Sequence, residues 1–272
     1  MLIDVEKYSF SLKKLWAETF GDDEEYINLL FDKGYVPSEC FAEVIDGEIV
    51  SALYLLNGYI VNGRQKYEGR YLYAAATDVR FRSNGIMSKL IKEALEYVKS
   101  NNISFVSLVP ANEGLYGYYG KFGFEPLMKN YISTIAGENE FSARHEVSPA
   151  DAFRLRKTLN VPYFNFDAPE LGYVELCLKY AGYRFFKITD DSYCIVSESG
   201  DEVLEYISSA ENMSENTKKL LGFLNKGATL VSPYDLSDYC ECKENKFGMV
   251  FFVDENIKEN FNDGIYMNIA LN

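Results

Sequence analysis

The chain has 272 residues, of which 47% are apolar and 15% aromatic, with a formal net charge of −14. This length and apolar content can fill one large or two medium cores and exclude a disordered chain, while the acidic balance argues against nucleic acid and anionic membranes as partners, since both select basic surfaces. No basic leader with an apolar run and cleavage site opens the sequence, and no apolar run reaches the length of a membrane span, so a cytoplasmic protein is expected.

Two helices are predicted first, over residues 11–20 and 22–32. The second has Asp22, Asp23, Glu24 and Glu25 in its first turn, where the helix dipole favours negative charge. Strand patterns follow at 40–45 and 48–60, joined by Asp46-Gly47, and the later Asn62-Gly63 is a second hairpin turn, so an antiparallel meander leads into the strand containing Tyr71 to Thr77. That strand carries no charge until Asp78, as expected where both faces are covered. It runs into Arg82-Ser83-Asn84-Gly85-Ile86-Met87, and then Ile86, Leu90, Ile91, Ala94 and Val98 recur at helical spacing.

Gly85 can bring bare backbone against a ligand, and the helix behind it presents unpaired N–H groups. This is the pattern of an anion site. From Arg64 to Lys92 seven basic residues stand against Glu68 and Asp78, a local +5 in an acidic chain, which suits a phosphate-bearing ligand. A solvated strand edge is the plainer alternative for those charges.

The helix is expected to end at Asn101-Asn102, and 103–109 reads as another buried strand, which implies a parallel pair with a helical crossover. The next segment, Asn112 to Phe124, is dense in glycine and tyrosine. Helix propensity is poor there, so packing or function must select those residues. A strand is expected over 124–135.

At this point the segment from about Cys40 to Ile135 resembles the GNAT superfamily of acyl-CoA-dependent N-acetyltransferases. The family's loop runs Arg or Gln, two residues, Gly, one residue, Gly or Ala. Arg82, Gly85 and the spacing fit, and Met87 departs from the pattern. Phe81 takes the family's aromatic position and Thr77 a position usually held by valine. Downstream, Asn112, Tyr119, Lys121, Gly123 and Phe124 fit a second family pattern at the right distance.

The resemblance implies a mixed α/β (α+β) fold with a mostly antiparallel sheet and one splayed parallel strand pair. It also implies acetyl-CoA as co-substrate. Backbone N–H groups of Arg82, Ser83, Asn84, Gly85, Ile86 and Met87 would hold the pyrophosphate. The pantetheine arm would pair with the strand edge at Ala75, Ala76 and Thr77, and Asn112 would contact it. Tyr119 would protonate the departing thiolate; as one of 22 tyrosines it could also be a core residue. Asn112 is equally a good helix cap. The acceptor would be a primary amine on a small molecule, an aminoglycoside-like or polyamine-like compound, or a peptide. Glu43, Glu68, Asp78 and Glu113 are candidate bases among which the sequence does not choose.

Residues 137–146 read as a polar linker. A helix starts at Ser148-Pro149 with proline at its first position, and another is expected over 168–181. Strands follow at 183–189, 192–197 and 202–208, a helix at 214–224, and strands at 228–232, 247–253 and 265–271. This order echoes the first half, but the junction Ala210 to Glu215 has neither glycine nor arginine, and its two carboxylates would repel a pyrophosphate. Two domains are therefore expected: a catalytic one over 1–137 and a degenerate GNAT-like one over 138–272, similar to tandem proteins of the Eis type without their third domain. The second half has 13 basic and 23 acidic residues, a charge of −10 against −4 for the first, and an acidic wall would favour cationic amines. A binding protein that kept the loop and lost turnover is the alternative reading. Cys40, Cys177, Cys194, Cys240 and Cys242 are too scattered for a disulfide framework. The lone His145 supports neither a hydrolase triad nor a metal centre, and no metal site is expected.

Overall fold

A computed structural model describes residues 1–31, 39–135, 145–222, 224, 227–269 and 271. A short strand β1 (Leu2–Ile3) precedes helix α1 (Ser9–Phe20), which buries Leu12, Leu15 and Trp16 at the spacing of one helical face and ends at Gly21 in the left-handed conformation. Helix α2 (Glu24–Phe31) begins two residues later than its acidic run suggests. Asp23 accepts the Tyr26 amide hydrogen as a cap, which leaves Asp22 outside the helix. Asp32, the predicted last residue of this helix, lies outside the described residues.

Strands β2 (Glu39–Ile45), β3 (Glu48–Asn62) and β4 (Gln65–Thr77) form the expected meander. Asp46 and Gly47 both have positive φ, the backbone that a two-residue hairpin between right-twisted strands requires. In the middle of β3 and β4, Gly58 pairs with Gly69. A Cβ on Gly58 would lie 2.6 Å from the Phe164 ring and one on Gly69 2.3 Å from the Phe105 ring. Both glycines are there so that rings can lie directly on the sheet.

Helix α3 (Ile86–Ser100) crosses over to β5 (Phe105–Leu108), which is parallel to β4. Helix α4 (Glu113–Gly120) and strand β6 (Glu125–Thr134) complete the first half. In the second half, Ser148 caps α5 (Pro149–Arg154), and an unforeseen strand β7 (Tyr163–Phe166) leads into α6 (Ala168–Tyr180). Strands β8 (Tyr183–Thr189), β9 (Ser192–Ser197) and β10 (Glu202–Ser208) stand where the pattern put them. They are followed by α7 (Met213–Leu221), β11 (Thr229–Ser232), β12 (Glu241–Phe252), α8 (Glu255–Lys258) and β13 (Ile265–Tyr266).

Two strands differ most from expectation. β12 starts six residues before Phe247, in a polar stretch. The strand expected over 265–271 is confined to Ile265–Tyr266, and Ala270 lies outside the described residues, as do residue 223 of the predicted helix and 137–144 of the predicted linker. At the linker's far end Glu146 bridges to Phe186.

The strands join one sheet in the order β1-β2-β3-β4-β5-β12-β6-β11-β10-β9-β8. β12, from the second half of the chain, lies between β5 and β6 and is antiparallel to both. β6 in turn passes to β11, so each half of the sheet is completed by a strand of the other. The pairing also closes on itself, because β13 joins β6 to β7 and β7 joins β3. The main core runs through this ring and takes Tyr71 and Phe105 from the first half, Phe164, Phe252 and Tyr266 from the second. No helix among the described residues is long and apolar enough to cross a membrane.

Candidate active site

β4 and β5 pair only from Gly69↔Phe105 to Tyr71↔Ser107 and then part. Beyond Tyr71, β4 keeps β3 on one side and has no strand on the other among the described residues. Within this stretch Ala74 has a φ of +46° and the register against β3 shifts. An extra residue is thus accommodated in β4, a bulge that leaves a backbone group out of the ladder next to the gap.

Two cavities open along the gap. The first, of about 820 Å³, lies between the end of β4 and the start of α3. It is lined by Ala75, Thr77, Arg82, Ser83, Gly85, Ile86, Met87, Asn112 and Tyr119, with Phe81, Ser88, Leu115, Tyr118 and Thr19. The second, of about 430 Å³, lies deeper between β4, the end of β5 and α1, with Trp16, Tyr71, Tyr73, Val109 and Leu271 in its walls. Ala75, Leu115 and Tyr119 face both.

The loop at the mouth of the first cavity is shaped to present backbone. Ser83 and Gly85 both have positive φ, and Gly85 is the N-cap residue of α3 without a side-chain cap. Alternating backbone of this kind turns successive N–H groups toward one point and, with the helix dipole behind it, attracts an anion. Arg82 spends its Nε–H on the Thr77 carbonyl at 2.9 Å, which anchors the side chain at the cavity rim, and its other guanidinium hydrogens have no partner among the described residues.

The local basic excess around this loop is largely neutralised by partners distant in sequence. Arg70 makes a two-pronged pair with Glu39, Lys89 reaches Glu43 at 2.8 Å and Arg80 reaches Glu48 at 3.5 Å while also holding its near neighbour Asp78 at 2.6 Å. Asp78 is held below the usual carboxylate range by its Arg80 hydrogen bonds, so it remains an anion tied to the loop.

α4 is fixed at three points. The Tyr118 hydroxyl shares a hydrogen bond with Ser88 of α3, the Tyr116 hydroxyl donates to the Lys246 carbonyl of β12, and Tyr119 packs edge-on to Phe124. Tyr119 is buried, and burial pushes its hydroxyl up to about 12, with Tyr118 adding to the effect. It is therefore a neutral O–H donor throughout the physiological range. Tyr71 faces it from β4, with backbone of Val109 and Leu271 close to its hydroxyl, and burial raises it as well.

Residues 6–127 match the family model described as acetyltransferase (GNAT) domain. This segment is a GNAT acetyltransferase domain, and the protein is an acyltransferase. A search of curated proteins finds no match to the chain. Among solved structures, a conserved protein from Enterococcus faecalis described as a probable N-acyltransferase aligns over 93% of this chain and 72% of its own, with a TM-score of 0.71 at 14% identity. Eis1 from Mycobacterium abscessus aligns over 93% and 73%, with a TM-score of 0.69 at 11% identity. A putative acetyltransferase from Pyrococcus horikoshii aligns over 100% and 95%, with a TM-score of 0.58 at 12% identity. At such identities the likeness is one of fold.

Within the GNAT domain the residues expected at the site fall into two groups. Ala75, Thr77, Arg82, Ser83, Gly85, Ile86, Met87, Asn112 and Tyr119 line the first cavity. Ala76 and Asn84 do not. Ala76 faces the core and its carbonyl accepts from Ser51, as alternation along a strand requires of the residue between Ala75 and Thr77. Asn84 turns back to the Phe81 carbonyl. Asn112 is the N-cap residue of α4 yet makes no side-chain cap bond, so its amide is left to the cavity it lines.

Of the carboxylates considered as bases, Glu43, Glu68, Asp78 and Glu113 line neither cavity. Asp22 lines the second, with its Oδ2 accepting the Trp16 indole N–H at 2.7 Å. Sequence reasoning placed Asp22 in a helix turn. The signal that could have found it is the left-handed Gly21, which ends α1 and turns the chain back over Trp16.

The equivalent place in the second half, ahead of α7, is filled from within. Asp191 accepts from Asn212 and Asn216 at 2.7 and 3.0 Å, and from the hydroxyls of Ser209 and Thr189. These bonds hold its carboxyl far below the usual range. A fixed carboxylate thus occupies the helix start where an anion would otherwise be drawn.

Proposed function

We propose that the protein is an N-acetyltransferase that uses acetyl-CoA to acetylate a primary amine, with one working site in the first half of the chain. The observation that carries this reading is the position of Tyr119, on the wall common to the loop-side cavity and the deeper one. The donor enters from the α3 side. Its pyrophosphate lies on the backbone of Ser83 to Met87 with Arg82 beside it, its amide-rich arm follows the free edge of β4 at Ala75 and Thr77, and Asn112 supports the arm from α4.

The acetyl group then reaches the point where the cavities meet, and the amine attacks from the deeper one. The bulge at Ala74 supports an oxyanion contact here, since it frees backbone from the ladder beside the reacting carbon. Tyr119, kept neutral by burial, donates its proton to the departing thiolate, and the proton that the attacking nitrogen sheds as the amide forms restores the phenol. The second half, taken as a degenerate domain over 138–272, contributes no donor site and closes the first by supplying β12 and Leu271.

The test is release of CoA thiol across a panel of primary amines. Removing the Tyr119 hydroxyl with Tyr119→Phe keeps the ring packing and should lower kcat by about a hundredfold or more, with the affinity for CoA unchanged. An unaltered kcat would remove Tyr119 as the acid.

A further inference from the structure

The deeper cavity has an unusual composition for a chain of this charge. Among the described residues that line it only Asp22 is charged, and five are aromatic: Trp16, Phe20, Tyr71, Tyr73 and Tyr119. Among the described residues the acidic surplus of the second half does not reach it, since Leu271 is the one lining residue from beyond position 137. From this we infer that the acceptor is a monoamine with a compact apolar body, whose one ammonium is received by Asp22, and that polyamines and amino sugars with several ammoniums are poor ligands. This rests on the reading of the cavity as the acceptor half of an acetyltransfer site.

The physical argument is one of unpaired charge. An ammonium taken out of water into an apolar cavity needs a hydrogen-bonded counter-ion. Asp22 is preset for one: the Trp16 indole fixes Oδ2, and no hydrogen bond to Oδ1 is made among the described residues. Aromatic faces around it favour a cation over a neutral polar group. A second or third ammonium on the same ligand would lie against Tyr71, Tyr73 or Leu271, where the described residues offer no carboxylate. At about 430 Å³ the cavity takes a small ring or a short branched chain.

The chain has a single tryptophan, Trp16, and it lies in this wall, so its fluorescence reports occupancy without any turnover. Full-length protein would be titrated with 2-cyclohexylethylamine, with 2-cyclohexylethanol as its uncharged counterpart, and with spermidine. The amine should bind at least about tenfold more tightly than either. Asp22→Asn keeps an oxygen for the Trp16 indole and should bring the amine and the alcohol to equal affinity, with an unchanged melting temperature confirming that the variant is folded. Spermidine binding as tightly as the monoamine, or a preference that survives in Asp22→Asn, would overturn the inference. Selective binding of the monoamine with no CoA thiol release from any amine would instead leave the cavity assignment standing and remove acetyl transfer.

Discussion

Tyr119 is the residue we propose as the general acid, and its environment sets a pH signature for that role. The donating form of a general acid is the protonated one, so its activity is lost as pH rises through its pKa in the folded protein. An exposed tyrosine would begin to fail near pH 10, whereas burial pushes Tyr119 up to about 12. Turnover measured at saturating amine should therefore show no falling limb as pH passes about 10. A decline centred there would mean that the acid is a less buried group. Tyr119 was legible in the sequence because the family pattern fixes its spacing from Asn112 and from Gly123-Phe124. The same resemblance placed the loop from Arg82 to Met87, and nine of the eleven residues it named meet at one cavity. Asp22 was not legible, because its part depends on Gly21 folding it back onto Trp16 rather than on its neighbours' types. Nor was the neutralisation of the basic loop region: Arg70 finds Glu39 and Lys89 finds Glu43 across the sheet, at separations no local pattern encodes.

Among the elements, β12 has the most unexpected place, between β5 and β6. Gly248 makes the insertion possible, since a Cβ there would stand 2.8 Å from the Leu108 carbonyl and 3.4 Å from the Met128 Cβ. Gly248→Ala should force β12 away from β5 and destabilise the protein by about 1–3 kcal/mol, and because Leu108 and Val109 wall the deeper cavity it should also raise KM for the amine. Gly117→Ala is the matched control. Nothing lies within 4 Å of a Cβ there and the position is inside α4, so helix propensity predicts a gain of up to about 1 kcal/mol. Urea unfolding of the two variants checks both signs. The elements that carry their own signal were read from sequence to within a residue or two: α3 from its periodicity, β8 to β10 from alternation around Asp190-Asp191. The first half of β12, Glu-Cys-Lys-Glu-Asn-Lys, has no apolar pattern and is a strand only because β6 lies beside it. β7 is four residues long and is held by β3 and β13 rather than by its own preference.

At the scale of the molecule, the two halves are joined by more than the exchanged strand. Arg156 and Glu205 form an ion pair at 2.5 Å with both side chains almost wholly buried. The Tyr266 hydroxyl donates to Glu205 at 2.9 Å, Arg156 donates to Asn165 at 3.1 Å, and Asn165 donates to Tyr59 of β3 at 3.0 Å. Glu205→Leu would strand a buried guanidinium and should cost about 3–5 kcal/mol, while adding Arg156→Met should recover most of that loss. Chemical denaturation of the single and double variants would show it, and equal losses in both would mean that the pair's packing matters more than its charge.

Residues 1–137 contain every group assigned to the donor site, yet they lack β12, β7 and β13. Without them β5 and β6 lose their common neighbour, the segment of β3 from Gly58 to Val61 keeps only β4 beside it, and Tyr71 and Phe105 lose Phe164 and Phe252 from their core. Open strand edges over an apolar face aggregate rather than fold. The fragment 1–137 should accordingly show no cooperative thermal transition by circular dichroism and no CoA binding, and co-expression with 138–272 should restore both. A fragment that melts cooperatively and binds CoA on its own would show instead that the exchanged strand is a late addition to a domain already complete. The completing strand comes from more than a hundred residues further along the chain, so the two halves are expected to fold together as one unit.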